Sequence, residues 1–150
     1  VSLFKSHNPE YKDGEQVRDF IYVKDVTRWI IELMIKKPQN GIYNMGFGKA
    51  RTWLDLAKAT FQSLGLPLKV EWMEIPLDIR NQYQYFTEAK MNHWLNQKMS
   101  PPKWSLEDGI NDYVRNYLNT DEPILKIVQL NTDKLKSAQL NSDHQNKKGS

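Results

Sequence analysis

The chain contains no cysteine among its 150 residues. That excludes a disulfide scaffold, a thiolate metal site and a cysteine nucleophile. Long apolar runs are missing too: nothing approaches the roughly 18 consecutive apolar residues of a membrane helix. No basic segment leads into an apolar stretch, so the sequence reads as one with no secretory leader, and the expectation is a cytoplasmic protein without membrane contact. A concentrated excess of one charge is also lacking. The pI is near 9.0, but residues 1–118 hold 16 Lys and Arg against 14 Asp and Glu, and residues 119–150 hold five against four. Only Lys36-Lys37 and Lys147-Lys148 stand side by side. A nucleic-acid binder gathers its cations into an arm or stripe, so this charge describes a solvated surface and no nucleic-acid partner. The histidines, His7, His93 and His144, have no ligand-like spacing, and no metal is expected.

What is present suits a folded α/β layer. Apolar residues make up 39% of the chain, with five Trp, seven Tyr and five Phe. A chain of this length buries about two-thirds of its unfolded surface, enough for a real core. Leu3 and Phe4 already read as a strand, as if the chain were entered partway and were a piece of something longer. Residues 18–23 form a β-branched and aromatic run that predicts a strand. Val26, Trp29, Ile30, Leu33 and Met34 then recur on one helical face, with Asp25 as a cap and Pro38 with Asn40-Gly41 as the stop. Residues 41–46 predict another strand, closed by Gly46-Phe47-Gly48. Thr52 with Asp55 predicts a capped helix carrying Leu54, Ala57, Phe61 and Leu64, with Gly65 as a left-handed C-cap. Residues 69–75 predict a further strand ending at Pro76. Thr87 is the expected cap of a short helix with Met91, Trp94 and Leu95. Ser105 to Asp108 predicts the start of a last helix with Leu106, Ile110, Tyr113, Val114 and Tyr117 inward.

Three or four short strands with about four helices fit a small α/β layer, not a bundle or a sandwich. From residue 119 the character changes. Residues 119–150 contain no aromatic, and Gln129-Leu130-Asn131-Thr132-Asp133 is echoed by Gln139-Leu140-Asn141-Ser142-Asp143. Two copies are too few for a solenoid. Residues 124–130 suit one short amphipathic element, and the rest reads as a polar, mobile tail. The expected division is therefore 1–118 as the folded lobe and 119–150 as the tail.

Complete catalytic sets are absent from the sequence. Gly46-Phe47-Gly48 lacks the third glycine of a dinucleotide turn, and no Walker Lys-Ser/Thr pair follows. There is no Gly-x-Ser-x-Gly elbow. None of the seven tyrosines is followed four residues later by lysine, and Glu107-Asp108 is explained by a helix's first turn. Two residues remain as candidates. Arg18 precedes the Asp-Phe-Ile-Tyr-Val run at the foot of a loop carrying the Asp13-Gly14 turn. Its planar fork suits a diphosphate, although pairing with Asp19 or Asp25 would equally occupy it. Tyr83 lies in Gln82-Tyr83-Gln84-Tyr85-Phe86, where its ring and hydroxyl suit a nucleotide sugar or simply a half-buried position.

Arg18-Asp19-Phe20-Ile21-Tyr22-Val23-Lys24-Asp25-Val26 resembles a signature of extended short-chain dehydrogenases that act on nucleotide sugars. Leu3 to Ser6, the 8–16 loop, residues 41–52 and Tyr83 to Ala89 tighten that resemblance. Together they look like the C-terminal part of the ADP-glyceromanno-heptose 6-epimerase family, over residues 1 to about 118. The resemblance implies the small substrate-binding lobe of such an enzyme, with its Rossmann domain largely absent. It implies inversion at C6 of an ADP-linked heptose by transient oxidation with NADP, in a family that forms homo-oligomers. On matching positions, Arg18 resembles the arginine that holds the diphosphate region and Tyr83 the tyrosine that closes over the substrate. Phe4, Lys5, Ser6 and His7 match a short substrate-contacting segment. The family's glycine-rich NADP fingerprint and its Tyr-x-x-x-Lys pair lie upstream of anything present. No cofactor is therefore expected on this chain alone, no catalytic residue is assigned, and an N-terminal Rossmann half encoded separately would be its partner. Phe47 stands where a small hydroxyl residue is usual, and Trp53 where Phe is common.

Overall fold

A computed structural model describes residues 1–120. The four short strands among these residues form two two-stranded sheets. In the first, β1 (Ser2–Phe4) pairs in parallel with β4 (Glu71–Met73), Leu3 lying opposite Trp72. In the second, β2 (Val17–Arg18) pairs antiparallel with β3 (Arg51–Thr52), Arg18 lying opposite Arg51. Residues 83–87 run beside β2 as an extended segment: Val17 N–H donates to Tyr85 O at 2.9 Å, and Phe86 bridges to Val17 in parallel. The helices are α1 (Val23–Lys36), α2 (Trp53–Ser63), α3 (Leu77–Arg80), α4 (Asn92–Asn96) and α5 (Leu106–Tyr113), followed by a π-helical turn, Val114–Leu118. This is the α/β lobe of few short strands that the sequence predicts.

Several elements differ from expectation in informative ways. Only Arg18 of the predicted 18–23 strand enters a ladder, together with Val17 just before it. Tyr22, not Asp25, stands at the α1 N-cap, with no side-chain cap. Residues 41–46 have strand composition but no strand partner among the described residues. A strand exists only where a neighbour completes its ladder. Thr87 caps nothing; its N–H donates to Val17 O, and α4 begins only after Met91. The one-turn α3 follows Pro76, a start signal too short to register as a period. By contrast, Thr52 and Asp55 form a reciprocal capping box on α2. Gly65 takes φ +68° beyond that helix.

Contacts divide the chain into two units, Val1–Asn111 and Asp112–Ser150. The first is built around Trp29, Met91, Trp94 and Met99, with Ile21, Leu33, Tyr43 and Met45 packed against them. The indoles of Trp29 and Trp94 lie 5.1 Å apart, and Trp94 Nε1 donates to Ser100 O at 2.8 Å. Such aromatic bodies contribute the largest apolar areas available to a small core. In the described part of the second unit, Tyr113 stacks on Tyr117 at 5.8 Å and Asn116 donates to Asp112. The 129–133 and 139–143 echo, the 124–130 element and nearly all of the expected tail lie outside the described residues.

Two aspartates pin the loops of the first unit. Asp19 accepts the N–H groups of Phe47 (2.6 Å), Gly48 (2.9 Å) and Ala89 (2.8 Å). Asp25, wholly buried, accepts from the Lys103 and Trp104 amides and from Arg28 Nη2 at 2.7 Å. The residues that make the 18–26 stretch recognisable in sequence are thus, at two positions, anchors for distant backbone.

Candidate functional site

A cavity of about 280 Å³ opens between β1, β2 and the 83–87 segment, lined by Ser2, Leu3, Phe4, Gln16, Arg18, Trp53, Met73 and Tyr83. The pairing of β2 with residues 83–87 brings Arg18 and Tyr83 together: the guanidinium carbon lies 5.3 Å from the ring centroid. Phe4, at the end of β1, meets the same ring edge-on at 5.9 Å. Gln16, 1% exposed, sends Nε2 towards the carbonyls of Phe4 and Lys5 and so ties the loop to β1. Gly14 lets that loop turn with φ +74°, close against the Trp72 ring.

The charge of the site follows from what its neighbours do. Arg18 Nη1 donates to Val17 O at 2.8 Å, and no carboxylate of the described residues pairs with it. Asp19 and Asp25, the expected competitors, are occupied by backbone amides and Arg28. Opposite in the ladder, Arg51 is neutralised by Asp55 (3.2 Å) and by Glu107 (2.6 Å). The Glu107 bond holds the Arg51 guanidinium protonated above its usual range, and the same bond lowers the Glu107 carboxyl. For Asp55, burial raises the pKa, but bonds from Arg51 and Thr52 outweigh it and the net shift is downward. Among the described residues Arg18 is left as a cation without a carboxylate partner, lying over the Tyr83 ring. That arrangement can hold an anion by charge-assisted bonds and a ring or sugar by stacking.

The other matched residues divide. Phe4 lines the cavity with Arg18 and Tyr83. Lys5 turns to Glu74 in an exposed 3.0 Å ion pair and does not line it. Ser6 and His7 lie one layer away around Tyr85. The Tyr85 hydroxyl receives the His7 N–H at 2.9 Å, pairs with His7 Nδ1 at 2.8 Å and approaches Ser6 Oγ at 3.4 Å. Sequence reasoning passed over Gln16, Trp53 and Tyr85 as site residues. The alternation Tyr83-Gln84-Tyr85 was the available signal, since period two places both rings on one face. Trp53 meets Phe20 at 5.2 Å, and its Nε1 is buried with no partner among the described residues. Among the described residues no group of three or more His, Cys, Asp or Glu is placed to hold a metal, and no helix is long and apolar enough to cross a membrane.

A parallel β1–β4 pair, a β2–β3 ladder and a cavity lined by Arg18 and Tyr83 are the features to set beside known proteins. Residues 5–46 match the NAD dependent epimerase/dehydratase family. The chain is 43% identical over 131 residues to the ADP-L-glycero-D-manno-heptose-6-epimerase of Fusobacterium nucleatum, covering 83% of this chain and 40% of that enzyme. It is 44% identical over 126 residues to the enzyme of the same name from Nitratidesulfovibrio vulgaris, covering 83% and 39%. The crystal structure of the Helicobacter pylori ADP-L-glycero-D-manno-heptose-6-epimerase superposes with a TM-score of 0.60 at 30% identity, over 77% of this chain and 32% of that one. UDP-glucose 4-epimerase from Bifidobacterium longum, solved with NAD+ and UDP, shares the fold at TM-score 0.59 and 19% identity, over 77% and 35%. The chain spans about two-fifths of the length of the curated relatives it matches.

Proposed function

We propose that residues 1–118 are the substrate-binding portion of an ADP-heptose 6-epimerase, which in its full length inverts C6 of the heptose by transient oxidation. The observation that carries this reading is the unpaired Arg18 guanidinium beside Tyr83 in a cavity also lined by Phe4. Arg18 holds the diphosphate of the ADP-linked sugar, and Tyr83 with Phe4 covers the adjoining sugar. Lys5, Ser6 and His7 contribute through the loop that borders the cavity. The relatives' names support the heptose, and the unpaired cation supports the diphosphate.

The residues present do not fit NADP. The glycine turn at Gly46-Phe47-Gly48 spends the Phe47 and Gly48 N–H groups on Asp19, so it cannot cradle a phosphate with them. The sequence holds no Tyr-x-x-x-Lys pair. The role read for these residues is therefore to bind the substrate in the cytoplasm, not to hold the cofactor. Calorimetric titration with ADP-heptose tests the reading. A measurable affinity that Arg18→Ala weakens supports it; no heat of binding, or tight NADP binding by this chain alone, rejects it.

A second reading, a non-catalytic module that packs on a partner lobe, draws on the exposed apolar side of α1. Ile31, Met34 and Ile35 are 58%, 71% and 76% exposed, and Ile42 in the unpaired 41–46 segment is 90% exposed. Apolar patches of this kind mark interaction faces. Under this reading, co-expression with the N-terminal half of a relative raises the unfolding temperature while Arg18→Ala leaves ligand affinity unchanged.

A further inference from the structure

We infer that Tyr85 is a positioning residue for the Arg18–Tyr83 pair, acting through its hydroxyl. The inference rests on the nucleotide-sugar reading of the cavity and adds to it a residue that lines no part of that cavity.

The aromatic side chains form one connected ladder. Phe4 meets Tyr83 at 5.9 Å, Tyr83 meets Tyr85 at 5.4 Å with planes 80° apart, and Tyr85 meets Tyr11 at 4.9 Å and His7 at 5.3 Å. An edge-to-face contact fixes one ring only as well as its neighbour is fixed. Tyr83 is held on one side by Phe4 and Arg18 and on the other by Tyr85. Three polar contacts hold Tyr85 at its far end: the His7 N–H, His7 Nδ1 and Ser6 Oγ. The Ser6–His7 turn is itself tied down, because Ser6 N–H donates to Asp13 Oδ1 at 2.7 Å and Ser6 Oγ to Asn8 O at 2.8 Å. Val17 N–H donates to the Tyr85 carbonyl at 2.9 Å, so the backbone of Tyr85 is fixed beside Arg18. Hydroxyl and carbonyl thus clamp the residue at both ends. The ring between them is the wall against which Tyr83 stands over the guanidinium. Without the hydroxyl, the 6–11 loop and the Tyr85 ring lose their common anchor, and the Tyr83 ring is free to leave Arg18.

The test compares the 150-residue chain with its Tyr85→Phe variant, which keeps the ring and removes only the hydroxyl. Two-dimensional NMR reads the ring-current shift of the Arg18 side chain over Tyr83, amide exchange reports on His7, and a titration with ADP follows binding. The expected result is a lost Arg18 shift, faster His7 exchange and an ADP affinity lower by about three- to tenfold, the span of one net hydrogen bond. An Arg18 shift retained in Tyr85→Phe overturns the inference, and so does an unchanged ADP affinity when the wild type binds. Should Tyr85→Phe fail to fold, His7→Leu removes the ring nitrogen partner instead, and the same shift decides. A wild-type chain that shows the Arg18 shift yet binds no ADP defeats the nucleotide-sugar reading, while the NMR comparison still decides the role of Tyr85.

Discussion

The guanidinium carbon of Arg18 stands 5.3 Å from the centre of the Tyr83 ring, and Arg18 has no carboxylate partner among the described residues. Arg51, directly across the ladder, has two. Adjacent like charges in register repel, and here Arg51 is neutralised by Asp55 and Glu107 while Arg18 has no such partner among the described residues. Replacing Arg18 by Ala should weaken ADP-heptose binding by about 1.5–3 kcal/mol, the range for a charged hydrogen bond. The unfolding temperature should barely change, because Arg18 makes one backbone bond. Arg18→Lys should recover only part of the affinity, since a point charge cannot reproduce two parallel N–H bonds. Equal calorimetric affinities for wild type and Arg18→Ala would reject the assignment.

Gly46 is fixed by space, not by backbone sign. A Cβ there would sit 2.4 Å from Ala89 Cβ and 2.7 Å from Asp19 Oδ2. Gly46→Ala should therefore destabilise by about 1–3 kcal/mol through overpacking, read as a lower midpoint in urea. Asp19→Ala removes the shared acceptor of three amides and should cost at least as much. Asp19→Asn, which keeps one acceptor oxygen, should fall between. A Gly46→Ala protein as stable as wild type would show that the turn relaxes.

Much of this architecture was legible in sequence where the cause is local. The Thr52–Asp55 cap and Gly65 are set within a turn of their own residues, and the structure has both. The α1 stripe predicted Trp29 in the core, but Met34, on the same stripe, is 71% exposed. Periodicity reports an apolar face; it cannot report what covers it. Residues 41–46 show the same limit, since a strand's composition does not supply its partner. At the site, the Arg18 and Tyr83 candidates could be named from chemistry. Their approach depends on the Val17–Phe86 bridge, a pairing across about 70 residues that no local pattern encodes.

Asp25 gives a prediction on the buried side of the same sequence stretch. Its carboxylate is fully buried and binds Arg28 together with the Lys103 and Trp104 amides. Asp25→Ala would leave the Lys103 and Trp104 amides without their acceptor and take from Arg28 its carboxylate partner. Removing one partner of a buried pair typically costs about 3–5 kcal/mol, so the variant should lose most of a small domain's stability. Soluble expression with an unfolding temperature near wild type would show that water replaces the carboxylate.

The acid side of the stability profile follows from three carboxyls. The Arg51 bond, working against burial, lowers Glu107. Burial raises Asp55 and Glu32, yet bonds from Arg51 and Thr52, and from Lys36 and Ser100, leave both lowered overall. A carboxyl lowered in the folded state adds stability that is full above its unfolded value, 3.8 for Asp and 4.5 for Glu, and is lost as pH falls through the lower folded value. Unfolding temperatures should thus be level from pH 7 to about pH 5 and decline below about pH 4.5. Glu107→Gln should flatten part of that decline. At pH 7 it should cost less than about 1 kcal/mol, because the pair is half exposed and screened. Salt should have the larger effect on wild type than on Glu107→Gln. Identical acid profiles for the two proteins would remove the Arg51–Glu107 pair from the account and leave Glu32 and Asp55 to carry it.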